Sequence, residues 1–182
     1  SAALCIGGFG VHYCLIKSAE ATGHAAVDMK DFAKKMAYDM GSFAWPGWNE
    51  PGIQPSSCDI TAGDDAARLN LRLAVELNRP PEGMSNAHWL IGAYAIVRQD
   101  WPDAQAAFSR AADFSRQAGD SAMTEFHLAC GKLARRLESP NDSDRQRDFA
   151  AAIETLESLQ TDDSTLYAQQ LRTAHGVFSA RT

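Results

Sequence analysis

His127 and Cys130 stand three residues apart in a stretch of helical spacing, so they share one helix face. A thiol beside an imidazole is the pairing a cysteine nucleophile needs, provided a helix N-terminus or a third group lowers the thiol pKa. No such group stands near in sequence, and Cys130 falls in the apolar series Met123, Phe126, Cys130, Leu133 and Leu137. It is read as a core cysteine. Cys5, His12, Cys14 and His24 have the side-chain chemistry of zinc ligands, but their spacing fits no compact site. His12 and Cys14 flank one residue and point apart on a helix, so these four are read as ordinary core or surface residues. Glu50, Asp59, Asp64 and Asp65 offer no carboxylate pair that divides into acid and base. Gly7, Gly8, Phe9 and Gly10 lack both the Lys-Ser/Thr of a phosphate loop and the spacing of a dinucleotide fingerprint, and read as a flexible lead-in. No catalytic residue, metal or other cofactor is expected.

Charge points the same way. The 182 residues carry 17 Lys and Arg against 23 Asp and Glu, a net charge of -6. A phosphate-backbone reader shows a basic stripe, whereas Lys34–Lys35 and Arg135–Arg136 are isolated pairs. Neither nucleic acid nor a membrane is expected as a partner. The apolar stretch 2–16 is interrupted by His12 and Tyr13, falls short of the roughly 20 residues that cross a bilayer, and has no leading basic segment of a signal peptide. Four cysteines without a CxxC pair fit free thiols in a reducing cytoplasm. The alternative is an exported protein, its first residues belonging to a processed fragment, with a Cys5–Cys14 or Cys5–Cys58 bridge.

The elements that would carry these residues are helical. Alternating β-branched runs are nearly absent, and alanine, leucine and Glu/Arg/Gln recur at helical spacing. An all-α chain of about seven helices is expected, with a short helix over 11–22 and a longer one over 25–43. Pro46 ends the second, and the Trp45 and Trp48 loop is expected to fold back and pack. Thr61 with Asp64 resembles a capping box, starting a helix that runs to about 78 and is stopped by Pro80 and Pro81. Further helices are expected over 85–99, 101–118, 121–137, 145–159 and 164–179.

Self-comparison adds a repeat. Ala67, Leu71 and Ala74 reappear 37 positions later as Ala104, Phe108 and Ala111. Trp89, Ile91, Gly92 and Ile96 reappear as Phe126, Leu128, Ala129 and Leu133 at the same interval, and Ala152, Leu156 and Leu159 give a looser echo. In a helix-turn-helix repeat the small residue lets helices approach, and the large one fills the groove of the next pair.

The segment 87–118, AHWLIGAYAIVRQDWPDAQAAFSRAADFSRQA, resembles the tetratricopeptide repeat. Ile91–Gly92 stand at the family's Leu-Gly positions, and Trp101 at the aromatic before the second helix, followed by Ala104, Phe108 and Ala111. The resemblance implies an antiparallel stack of helix pairs over 25–160, with insertions at 45–60 and 138–144. Residues 1–24 would be a lead-in or cap and 161–182 a capping helix. It also implies a protein-interaction module whose first helices line a groove for a peptide or partner helix. By position, Asn86, Trp89, Ala93, Ile96, Met123 and Phe126 would line it, whether open or filled by a terminal segment. A small-molecule or enzymatic pocket using Trp45, Trp48, His88 and Trp89 is the alternative.

Overall fold

Caps and breakers set the helix boundaries. The computed structural model describes residues 2–180, which form eight helices and no strand. They are α1 (Ala2–Glu20), α2 (His24–Ala44), α3 (Ser57–Glu76), α4 (Pro81–Val97), α5 (Trp101–Ala118), α6 (Ser121–Glu138), α7 (Ser143–Ser158) and α8 (Asp162–Ser179). A 3-10 turn (Pro46–Trp48) follows α2. Asp100, Asp120 and Asp142 cap α5, α6 and α7 by accepting backbone N–H bonds from the first turn. Gly119 closes α5 in the left-handed conformation at φ 77°.

Three boundaries differ from the sequence expectation. The capping box of α3 is Ser56 with Asp59, five residues ahead of Thr61 and Asp64. Starting there adds a turn that packs Ile60 on the main core. The Thr61 hydroxyl instead donates to the Ser57 carbonyl, and Asp64 pairs with Arg98 at 2.5 Å. Pro80 and Pro81 do not simply stop α3. It ends at Leu77 and the left-handed Asn78, and Pro81 opens α4, where its missing N–H costs nothing.

The third difference is the N-terminal segment, a full 19-residue helix rather than a short one over 11–22. Glycines weaken an isolated helix, but Gly7 and Gly10 lie against Met40 and Met36 of α2. A Cβ at Gly7 would sit 2.8 Å from Met40 Cγ, and one at Gly10 would sit 2.1 Å from Met36 Cε. The missing side chains let α1 approach α2 closely, and that packing holds the helix together. The expectation that no apolar stretch nears membrane length is corrected here: by length and composition α1 is able to cross a bilayer.

Each helix packs on the next, and α8 folds back across α6 and the 3-10 turn. The main core runs through α4 to α8, around Trp89, Tyr94, Phe108, Leu133, Leu156 and Leu171. A smaller cluster under α1 joins Val11 to Ala33, Ala37, Ala66 and Leu73. The recurring small positions Ala67, Ala74, Ala104 and Ala111 have no exposed surface, as close helix approach requires. Between α2, α3 and α4 the Tyr94 hydroxyl donates to the Gly41 carbonyl at 2.8 Å. A Cβ on Gly63 would stand 1.9 Å from that hydroxyl, so only glycine fits there.

Candidate docking surface

Of the six residues expected to line a groove, Trp89, Ala93, Ile96 and Phe126 share the main core and Met123 packs against it. Trp89 of α4 and Phe126 of α6 have ring centroids 6.3 Å apart. The space in front of them is occupied from within the chain. Trp45 crosses Trp89 edge-on at 5.7 Å, and its ring N–H donates to the Ala93 carbonyl at 3.0 Å. Trp48 lies 5.6 Å from Trp89, fixed by an N–H bond to the Ser42 carbonyl. From α8, Tyr167 stacks on Phe126 at 4.7 Å and Phe178 reaches Trp45 at 5.8 Å. Trp89 is thus 5% exposed, with Ala93, Ile96 and Phe126 also buried, while Asn86 and Met123 are half-buried.

The cavity left among Trp45, Trp89, Phe126 and Leu171 measures about 10 Å³, the room of one water molecule at most. Pro46 and the 3-10 turn explain the fit: they redirect the chain after α2 so that both tryptophans enter the core, as the sequence suggested. His88 stacks on Phe114 at 5.5 Å. No single cavity gathers Trp45, Trp48, His88 and Trp89 together: the three tryptophans line the small one, and Trp45 and Trp48 also wall the larger cleft described below, both without His88.

His127 and Cys130 do share α6, but each is held by a different neighbour. His127 Nδ1 lies 3.0 Å from the Ser115 hydroxyl and 3.3 Å from that of Ser85, and Ser85 also donates to the Ala111 carbonyl. The sequence reading missed this serine–histidine network; its signal is a lone Ser85 on the buried side of an apolar helix. Ser85, Ser115 and His127 are all almost fully buried, so no substrate reaches them. Burial pushes the His127 imidazole down to about 4, and it is neutral at pH 7. Burial raises the Cys130 thiol far above its ordinary range, a shift the Trp89 N–H opposes only in part. A thiol kept protonated is not a nucleophile. On α1, Cys5 is exposed and Cys14 half-buried, and no group of three potential metal ligands occurs among the described residues.

The open apolar surface lies at the other end of the molecule. Of the eleven exposed large apolar side chains among the described residues, eight precede residue 54. Phe9 of α1 is 77% exposed and Phe43 of α2 is 75% exposed, with Ile6, Tyr13, Ile16 and Phe32 also exposed. Ile6, Phe9, Tyr13 and Ile16 step by three, four and three, so they form one stripe on the side of α1 away from α2. This stripe is legible in the sequence and was not singled out there. Beside it, a cleft of about 1020 Å³ opens between α1, the end of α2 and the 46–55 loop, walled by Ile6, Met40, Phe43, Trp48 and Ile53. Asp39, Glu50 and Asp59 stand on its wall as the charged members. An apolar face of this extent marks a contact surface. No protein-family model matches the chain, and neither does any curated protein or any solved structure.

Proposed function

We propose that the chain is a non-catalytic, tetratricopeptide-like interaction module that docks through its N-terminal hairpin, α1 and α2, rather than through a concave groove. The carrying observation is the contrast in exposure: Phe9 and Phe43 face outward, while Trp89 is 5% exposed. The buried state of Trp89 and Phe126 under Tyr167 and Phe178 supports a cis-filled groove, with α8 in the place a partner helix takes in such arrays. The repeat resemblance favours a protein or peptide partner. The chemistry of the exposed stripe asks only that the partner be apolar.

Site-specific photocrosslinking in the native cellular setting tests this. A photoreactive phenylalanine analogue replaces Phe9, Phe43 or, as a control on α8, the exposed Leu166. Discrete adducts from positions 9 and 43, and none from 166, are expected. Adducts from 166 alone, or from none of the three, would overturn the assignment.

A further inference from the structure

The exposed stripe of α1 needs a cover, and α1 itself carries the properties that decide its kind. The helix is apolar on every side. It has no charged residue from Ala2 to Ile16, and its Lys17 and Glu20 sit in the last turn, bonded to each other at 2.6 Å. Only 11% of its most apolar window is buried, so it is not the core helix of a soluble body. A helix apolar all round belongs inside a large core or a bilayer. At 1.5 Å per residue its 19 residues span about 28 Å, close to the ~30 Å of bilayer hydrocarbon.

Its attachment suits release. α1 packs chiefly on α2, and residues 21–23 join the two. Gly23, at φ 60°, has nothing within 4 Å of where a side chain would begin, which leaves room for a pivot. α2 is not equipped to follow, because Asp28, Asp31, Lys34, Lys35 and Asp39 punctuate it. The surface α1 would leave behind is made of Ala33, Ala37, Met36 and Met40, and methionine repacks readily.

We propose that α1 is a bilayer-spanning helix. In water it folds back on α2; at a membrane it turns about residues 21–23 and crosses the hydrocarbon, holding α2–α8 at the surface. This rests on the reading of the N-terminal hairpin as the docking surface and names its occupant. A partner helix or a second copy would need only the Ile6, Phe9, Tyr13 and Ile16 stripe, whereas a bilayer calls for apolar residues around the whole helix.

The native cysteines supply the test. Cys5 near the start of α1 and Cys58 at the start of α3 are both exposed. The full chain is reconstituted from detergent into phosphatidylcholine vesicles and treated with a membrane-impermeant maleimide. In solution one molecule takes label at both positions. Across a bilayer Cys5 enters the hydrocarbon and is shielded while Cys58 stays in water, so no molecule on intact vesicles takes label at both positions. The chain also floats with vesicles after an alkaline wash, and Phe9→Arg lowers the vesicle-bound fraction about tenfold or more with an unchanged circular dichroism spectrum.

Doubly labelled molecules on intact vesicles, loss in the alkaline wash, or Phe9→Arg floating like the parent would each overturn the proposal. If the parent fails to float while Phe9→Arg dissociates a dimer or a bound protein in solution, the bilayer is wrong and the docking surface stands. If Phe9→Arg changes neither, both fall.

Discussion

The N-terminal hairpin and the α4–α6 layer are both rich in apolar residues, but they spend them differently. In α4 and α6 the large side chains meet large partners: Trp89 and Phe126 are covered by Trp45, Trp48, Tyr167 and, through Trp45, Phe178. In α1 the face toward α2 is built on Gly7 and Gly10, and the large residues Ile6, Phe9 and Tyr13 point away from it. The same kind of composition therefore gives a sealed core in one region and an open surface in the other. What separates them is where the small residues sit. Small residues between helices draw them together and send the large ones either into a third element or out to solvent, and only the layer that α8 crosses has that third element.

The largest expected effect breaks the sealed side. Trp89→Ala removes the ring on which Trp45, Trp48 and Phe126 converge, and should lower stability by about 3–5 kcal/mol in urea titration. A loss under about 1 kcal/mol would mean that the groove is not packed. Acid provides the next test. Burial holds the folded His127 pKa at about 4, below the ordinary 6.5, so the unfolded chain takes the proton first. Stability is then full above pH 6.5, falls as pH drops toward 4, and levels off below it, for a total of about 3 kcal/mol from this group. His88 and His175, whose pKa values burial also lowers, tilt the profile in the same direction. His127→Gln should flatten the profile between pH 6.5 and 4 without abolishing it.

Ala104→Leu places a branched chain where the parent residue has no exposed surface, and should cost about 1–3 kcal/mol through overpacking. An unchanged midpoint with an unchanged denaturant slope would argue against close helix approach at that position. The smallest effect belongs to the open side. Phe9→Ser removes a side chain that is 77% exposed and should change stability by no more than about 0.5 kcal/mol. A loss of 2 kcal/mol would show that Phe9 is covered within the chain itself.

Much of the architecture was legible in the sequence. Asp100, Pro102 and Gly119 mark both ends of α5, and the structure uses them so. The 37-residue echo identified Ala67, Ala74, Ala104 and Ala111 as close-approach positions, and all four are sealed. Boundaries set by tertiary packing were harder. Ser56–Asp59 and Thr61–Asp64 have the same three-residue spacing, and the earlier start brings the partly buried Ile60 against the main core. Gly7 and Gly10 look like a flexible lead-in until Met36 and Met40 are seen beside them. At the candidate site, the sequence brought Trp89 and Phe126 together correctly. It could not tell whether their groove was open or filled, because that depends on α8, whose Tyr167, Leu171, Ala174 and Phe178 stripe has no sequence link to its target.

The central claim is that the groove at Trp89 is closed while the face at Phe9 and Phe43 is open. Hydroxyl-radical footprinting of the intact chain in solution reads both at once, by mass spectrometry of each aromatic residue. The account predicts fast oxidation of Phe9, Tyr13 and Phe43, with Trp89 and Phe126 modified far more slowly than their intrinsic reactivity allows. Trp89 and Phe126 oxidised as readily as exposed rings, with Phe9 and Phe43 protected, would contradict it.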